Sequence, residues 1–171
     1  GVESDNMKAV SEMLDILLPR LPIVYTSTSA GEPQELYSSD ESEVDLPMVV
    51  LADKGTKGAS EMFAMALRDC GKGRTVGETT FGKGTLQEAK RLRDGSAVIL
   101  TTAIYSGPAG ESYDEVGVPA DYEVKLGVDD ENKANVLGVY DLDAQYRKAQ
   151  EVAIAAQKTV ESTASGSSSA S

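Results

Sequence analysis

Between Pro47 and Gly77 a short apolar run, an amphipathic stretch and a second extended run follow one another, and this order constrains the fold more than any other feature. The run MVVLA at 48–52 is bounded by Pro47 and Asp53. That pattern fits a strand covered on both faces, as in a parallel sheet. After it, Ala59, Met62, Phe63, Ala66, Leu67 and Cys70 recur at helical spacing and form one apolar face. Gly58 stands at the cap of this helix and Glu61 places an acid in its first turn. A strand, a turn, a helix and a strand make a βαβ unit, so the chain is expected to be α/β with layered sheets and flanking helices.

The flanks fit that architecture. Residues 5–18 carry apolar positions at Met7, Val10, Met13, Leu14, Leu17 and Leu18, a helix capped by Ser4 or Asp5 and ended by Pro19 and Pro22. Residues 23–28 and 35–38 read as two strands around the turn at 29–33. The stretch SSDESEVD at 38–45 reads as a solvated acidic loop, because its spacing is not that of a calcium-binding loop. Strands are expected at 86–92 and 97–105, joined at Asp94-Gly95, with another at 122–126. A last helix covers 141 to about 160, with Leu142, Tyr146, Ala149, Val152, Ala153 and Ala156 on its apolar stripe. The Ser-rich end, STASGSSSAS, reads as a disordered tail. The expected division is therefore a folded part at 1–161 and a tail at 162–171.

Composition narrows the function. A chain of 171 residues has length for one domain with a core. Its net charge of −12 repels phosphate backbones, which argues against a nucleic-acid partner. A lone cysteine, Cys70, makes no internal disulfide and sits on the apolar helix face as a core residue. No apolar run is long enough for a membrane span.

The chemistry-bearing residues lie downstream of the helix. With no histidine in the chain, nucleophilic catalysis must use another base. Lys83, between Gly82 and Gly84 and beside Phe81, is the candidate. If 83–87 is extended, Lys83, Thr85 and Gln87 share a face. Taken alone, Gly-Lys-Gly is more often an exposed turn, Ser60 a first-turn helix residue bonded to its own backbone, and Gln87 an ordinary strand residue. Gly-Lys-Gly-Thr is not a phosphate-binding loop, since it lacks the earlier glycine and opens no helix.

The strings Gly55-Thr56-Lys57-Gly58-Ala59-Ser60-Glu61 and Val76-Gly77-Glu78-Thr79-Thr80-Phe81-Gly82-Lys83-Gly84-Thr85-Leu86-Gln87 together resemble the catalytic block of the C-terminal processing peptidases, the tail-specific serine–lysine proteases of family S41. Asp94-Gly95-Ser96-Ala97, Leu100-Thr101-Thr102-Ala103 and Gly117-Val118-Pro119-Ala120-Asp121 resemble further elements of that family in the same order. The resemblance is strong from Pro47 to Val124. It implies a ClpP/crotonase-like core, here its C-terminal part. It also implies Lys83 as general base, Gln87 as the residue that orients it, and an oxyanion-hole N–H at Ala59. The family's nucleophilic serine falls at Gly58, which has no side chain to attack with. Ser60 is the nearest substitute hydroxyl.

The resemblance further implies a protein or peptide substrate, no small-molecule cofactor and no metal. It implies an upstream part with a PDZ domain, a possible homo-oligomer, and a place outside the cytoplasm in a bacterial envelope. The leading reading is a serine endopeptidase domain acting near C-terminal tails, inactive here because of Gly58. The alternative is a pseudoprotease that binds peptides or acts as a scaffold. An acyl-CoA enzyme on the same broad fold is a third reading, which nothing in the lysine–glutamine block favours.

Overall fold

The computed structural model describes residues 1–28, 31–127 and 132–166. It is a mixed α/β structure. The chain opens with β1 (Glu3–Ser4) and α1 (Met7–Leu17), then β2 (Pro22–Ser27), β3 (Gln34–Ser38) and β4 (Met48–Ala52). Next come β5 (Lys57–Gly58), α2 (Ala59–Asp69), β6 (Gly73–Gly77), β7 (Thr85–Arg91) and β8 (Ala97–Ser106), followed by β9 (Tyr122–Glu123), α3 (Lys133–Val136) and α4 (Ala144–Gly166). The expected βαβ unit is β4–α2–β6. Its two strands pair in parallel, Met48 opposite Gly73 and Ala52 opposite Gly77, and β9 extends the sheet beyond β6. A four-stranded antiparallel sheet runs β3-β2-β8-β7, and β1 pairs in parallel with β5.

The main core lies where α1 and α2 meet: Leu14, Leu18, Met62 and Ala66 are fully buried, with Ile23 and Val24 of β2 against them. A smaller cluster joins Val76 of β6 to Ala149 and Val152 of α4. These apolar stripes were plain in the sequence because burial of one face is what stabilises a helix of this length.

Several boundaries differ from expectation, each for a local reason. Asn6, not Ser4 or Asp5, caps α1: its side-chain oxygen accepts from the Ala9 N–H at 3.1 Å, while the Asp5 carboxylate is engaged elsewhere. Strand β4 is at the edge of its sheet and is not covered on both faces, leaving Leu51 46% exposed. The last helix starts at Ala144, because Asp143 turns back to accept from the Tyr146 N–H, and it leaves Leu142 exposed. It continues through Gly166, past the expected start of the tail at Ser162. Residues 167–171, and Ser29 and Ala30 of the expected turn, lie outside the described residues.

The acidic loop at 38–45 is anchored rather than free. Glu43 and Asp45 both bind the Lys72 ammonium, and the Asp40 N–H donates to Asp15. Cys70 closes α2 as its C-cap; it is half-buried at the edge of the core and not inside it as expected, and burial pushes its thiol up to about 11. The β7–β8 ribbon extends beyond β2, and Val98, Ile99 and Leu100 are exposed in sequence along it. Among the described residues, no helix is long and apolar enough to cross a membrane.

Candidate active site

The site is assembled around one buried carboxylate. Glu61, in the first turn of α2, is completely buried. One of its oxygens accepts from the Gly58 N–H at 2.9 Å and the Lys83 N–H at 2.8 Å. The other accepts from the Gly82 N–H at 2.6 Å and the Thr80 hydroxyl at 2.5 Å. Glu61 therefore fastens the helix start to the loop that carries the lysine. The sequence showed only an acid in a first turn; the distant partners leave no trace in local spacing.

Gly58 is the N-cap of α2 at φ 70° and ψ −128°. Only glycine adopts this conformation without strain, and it forms a sharp turn from β5 into the helix. A strand–turn–helix corner of this kind is how nucleophile elbows project a side chain. A Cβ built here would lie 2.4 Å from the Ser4 carbonyl oxygen, because β1 is paired alongside. Ala59 follows as the first helical residue, where backbone N–H groups point out of the helix.

The Gly-Lys-Gly loop is a clamped segment and not a solvated turn. A Cβ on Gly82 would meet the Gly117 nitrogen at 2.9 Å, and one on Gly84 the Asp114 nitrogen at 2.8 Å. The Gly84 N–H donates to Asp114, and the Gly82 carbonyl accepts from the Glu115 N–H. Asp121, in the stretch Gly117 to Asp121, accepts from the Thr75 N–H and hydroxyl, which holds β9 to β6.

Gly58, Ala59, Lys83 and Gln87 line one cleft of about 150 Å³, with Tyr105 and Tyr113. Ser60 faces a different, largely apolar cavity of about 460 Å³, with Phe63, Val50 and Gly1, so helix geometry turns it away from Lys83. Phe81 does not cover Lys83; it is 56% exposed and stacks under the Lys57 ammonium, 4.4 Å from the ring centre. The run 83–87 is not uniformly extended. Strand β7 begins at Thr85 and its register slips between Leu86 and Gln87, which breaks the alternation expected to align Lys83 with Gln87.

The Lys83 ammonium sits 2.9 Å from Asp5 and 3.4 Å from Glu3. The hydrogen bond to Asp5 raises its pKa above the ordinary lysine value, and the Glu3 contact adds to this, outweighing desolvation. In this arrangement Lys83 stays protonated at neutral pH. The contact favours the folded state below the lysine range and is lost as the pH rises through the elevated value. The double substitution Asp5→Asn and Glu3→Gln is expected to lower the Lys83 pKa, read from the Cε–Hε resonances during an alkaline titration. An unmoved titration would show that the two acids do not control the amine. Among the described residues no cluster of three or more His, Cys, Asp or Glu is placed to hold a metal ion.

The model of peptidase family S41 matches residues 5–124. The chain belongs to peptidase family S41. A chloroplastic C-terminal processing peptidase of Tetradesmus obliquus is 40% identical over 128 residues, covering 72% of this chain and 27% of the relative. A carboxyl-terminal-processing protease of Synechocystis sp. is 35% identical over 119 residues, covering 70% of this chain and 28% of that one. The solved photosystem II D1 C-terminal processing protease superposes with a TM-score of 0.67 at 35% identity, over 81% of this chain and 37% of its own. The chain thus spans little more than a quarter of the curated relatives it matches first.

Proposed function

We propose that this chain is the lysine-bearing part of a C-terminal processing peptidase, a serine–lysine endopeptidase acting on proteins near their C-terminal tails, and that it does not hydrolyse peptides as it stands. The observation that carries this reading is the single cleft that holds both Gly58 and Lys83, with Glu61 bonded to the backbone of each. Gly58 marks the nucleophile position, Ala59 offers an oxyanion N–H, Lys83 is the general base and Gln87 orients it. The base can act only after Asp5 and Glu3 release it, since a protonated amine accepts no proton. The cleft is smaller than the roughly 300–1,000 Å³ of small-molecule pockets, and Thr85, Leu86 and Gln87 at the start of β7 form part of its wall, where an extended peptide could lie against a strand. From membership of the family, we place the protein outside the cytoplasm, with a PDZ domain upstream and self-association of the whole protein.

Gly58 favours a second reading, a peptide-binding pseudoprotease that keeps the cleft and lacks the nucleophile. Both readings expect the purified chain to bind an unfolded peptide with an apolar C-terminus and to leave it intact. Calorimetry and mass spectrometry on the same mixture check this. Inhibitor-sensitive cleavage would overturn the assignment of Gly58 as the missing nucleophile, and absence of binding would remove the peptide cleft.

A further inference from the structure

The cleft that holds Gly58 and Lys83 has an occupant supplied by the chain itself. Asp5 lines it, and one oxygen of its carboxylate lies 2.9 Å from the Lys83 ammonium. The same oxygen is 3.2 Å from the point where a Cβ at position 58 would stand. A carboxylate is thus seated beside both the amine and the empty nucleophile position. A second one, from Glu3, reaches the same ammonium at 3.4 Å.

This occupancy is displaceable. The Asp5 side chain is 73% exposed and that of Lys83 32%, and ion pairs this open hold weakly because water screens them and competes for both partners. The backbone beneath is fixed separately: β1 pairs with β5, and the Lys57 N–H donates to the Val2 carbonyl. Rotation of the Asp5 side chain therefore uncovers the ammonium without unpairing β1. The rest of the wall includes Met7, Leu86 and Tyr105, which suit an apolar side chain. At about 150 Å³ the cleft has about half the volume of the smallest small-molecule pockets, room for the end of a chain and not for one passing through. A carboxylate at the lysine with an apolar side chain next to it is the chemistry of a peptide's last residue.

We infer that the cleft recognises the free C-terminal carboxylate of an apolar-ended peptide, which takes the place of the Asp5 carboxylate on Lys83, so that Asp5 is a built-in competitor. This rests on the reading of the cleft as a peptide site and names the group of the peptide that it takes. In the chain as it stands Lys83 then serves as a charged donor, the role left to a lysine that has no nucleophile to deprotonate.

The test uses one N-acetylated, apolar-ended peptide in two forms, ending in a free carboxylate or in an amide, titrated by calorimetry into the purified chain. The free acid should bind about tenfold more tightly than the amide, the scale of one charge-assisted hydrogen bond. Lys83→Met should lose that preference and Lys83→Arg should keep it, with thermal midpoints showing that each variant is folded. The double variant Asp5→Asn and Glu3→Gln should bind the free acid about threefold to fivefold more tightly than the parent. Glu12→Gln with Glu151→Gln removes the same charge from two exposed acids outside the cleft and should leave the affinity unchanged. Equal binding of acid and amide by the parent overturns the inference while the peptide cleft stands. An equal rise in the Glu12 and Glu151 variant overturns the competition by Asp5, since net charge alone would then explain it. If neither peptide binds the parent or the Asp5 and Glu3 variant, the peptide reading itself fails and takes this one with it.

Discussion

Glu61→Ala is expected to destabilise the chain by about 3–5 kcal/mol, read as a shift in the urea midpoint at constant slope. The carboxylate is fully buried and accepts from three backbone N–H groups and one hydroxyl. Alanine would leave the Gly58, Gly82 and Lys83 N–H groups inside the protein without that acceptor, and each such loss costs roughly 1–3 kcal/mol before relaxation. Small domains have only about 5–15 kcal/mol in total, so the variant should sit close to unfolding. Glu61→Gln should fall between the two, since its amide oxygen can still accept while its NH₂ faces donors. A loss below about 1 kcal/mol for Glu61→Ala would show that the helix start and the lysine loop are held by other contacts.

Gly58→Ser in the full-length protein is expected to raise peptide cleavage by at least roughly 10⁴-fold over the glycine form, the usual scale of a missing nucleophile. The structure adds a condition. The Ser4 carbonyl occupies the space a Cβ needs, and the backbone there is in a conformation that L side chains adopt only with about 1–3 kcal/mol of strain. The serine therefore requires β1 to move off β5. Because Asp5 follows β1 directly, the same movement frees Lys83 from its carboxylates. Serine and active base should appear together, with a pH–rate profile whose rising, acidic limb has its midpoint below the ordinary lysine value. Equal cleavage by the glycine form would mean another hydroxyl attacks. Inactivity of both forms would favour the binding-only reading.

Much of this was legible in the linear order of residues. The βαβ unit, the amphipathic faces of α1 and α2 and the β7–β8 hairpin follow from periods of two and 3.6, which burial enforces. Lys83, Gly58 and Gln87 could be singled out from the spaced strings around them, and the fold does bring all three to one cleft. What stayed hidden depends on contacts between distant segments. The very short strands β1 and β5 exist only because they pair with each other. The capture of Lys83 by Asp5 joins residues far apart in sequence. The turning away of Ser60 depends on helix phase relative to a neighbour. The register slip after Leu86 is set by the strand opposite, and no local pattern announces it.

The bonds made by Glu61 have a consequence for how the region opens. The amide protons of Gly58, Gly82 and Lys83 share one acceptor residue, so they should exchange with solvent through a common event rather than one by one. Nothing can loosen the lysine loop without also loosening the head of α2. A chain that gave up its nucleophile would then still be obliged to keep the loop, simply to remain folded. Because these bonds are to backbone N–H groups, they hold the loop whatever side chain stands at position 83, so the packing alone gives no reason for a lysine there.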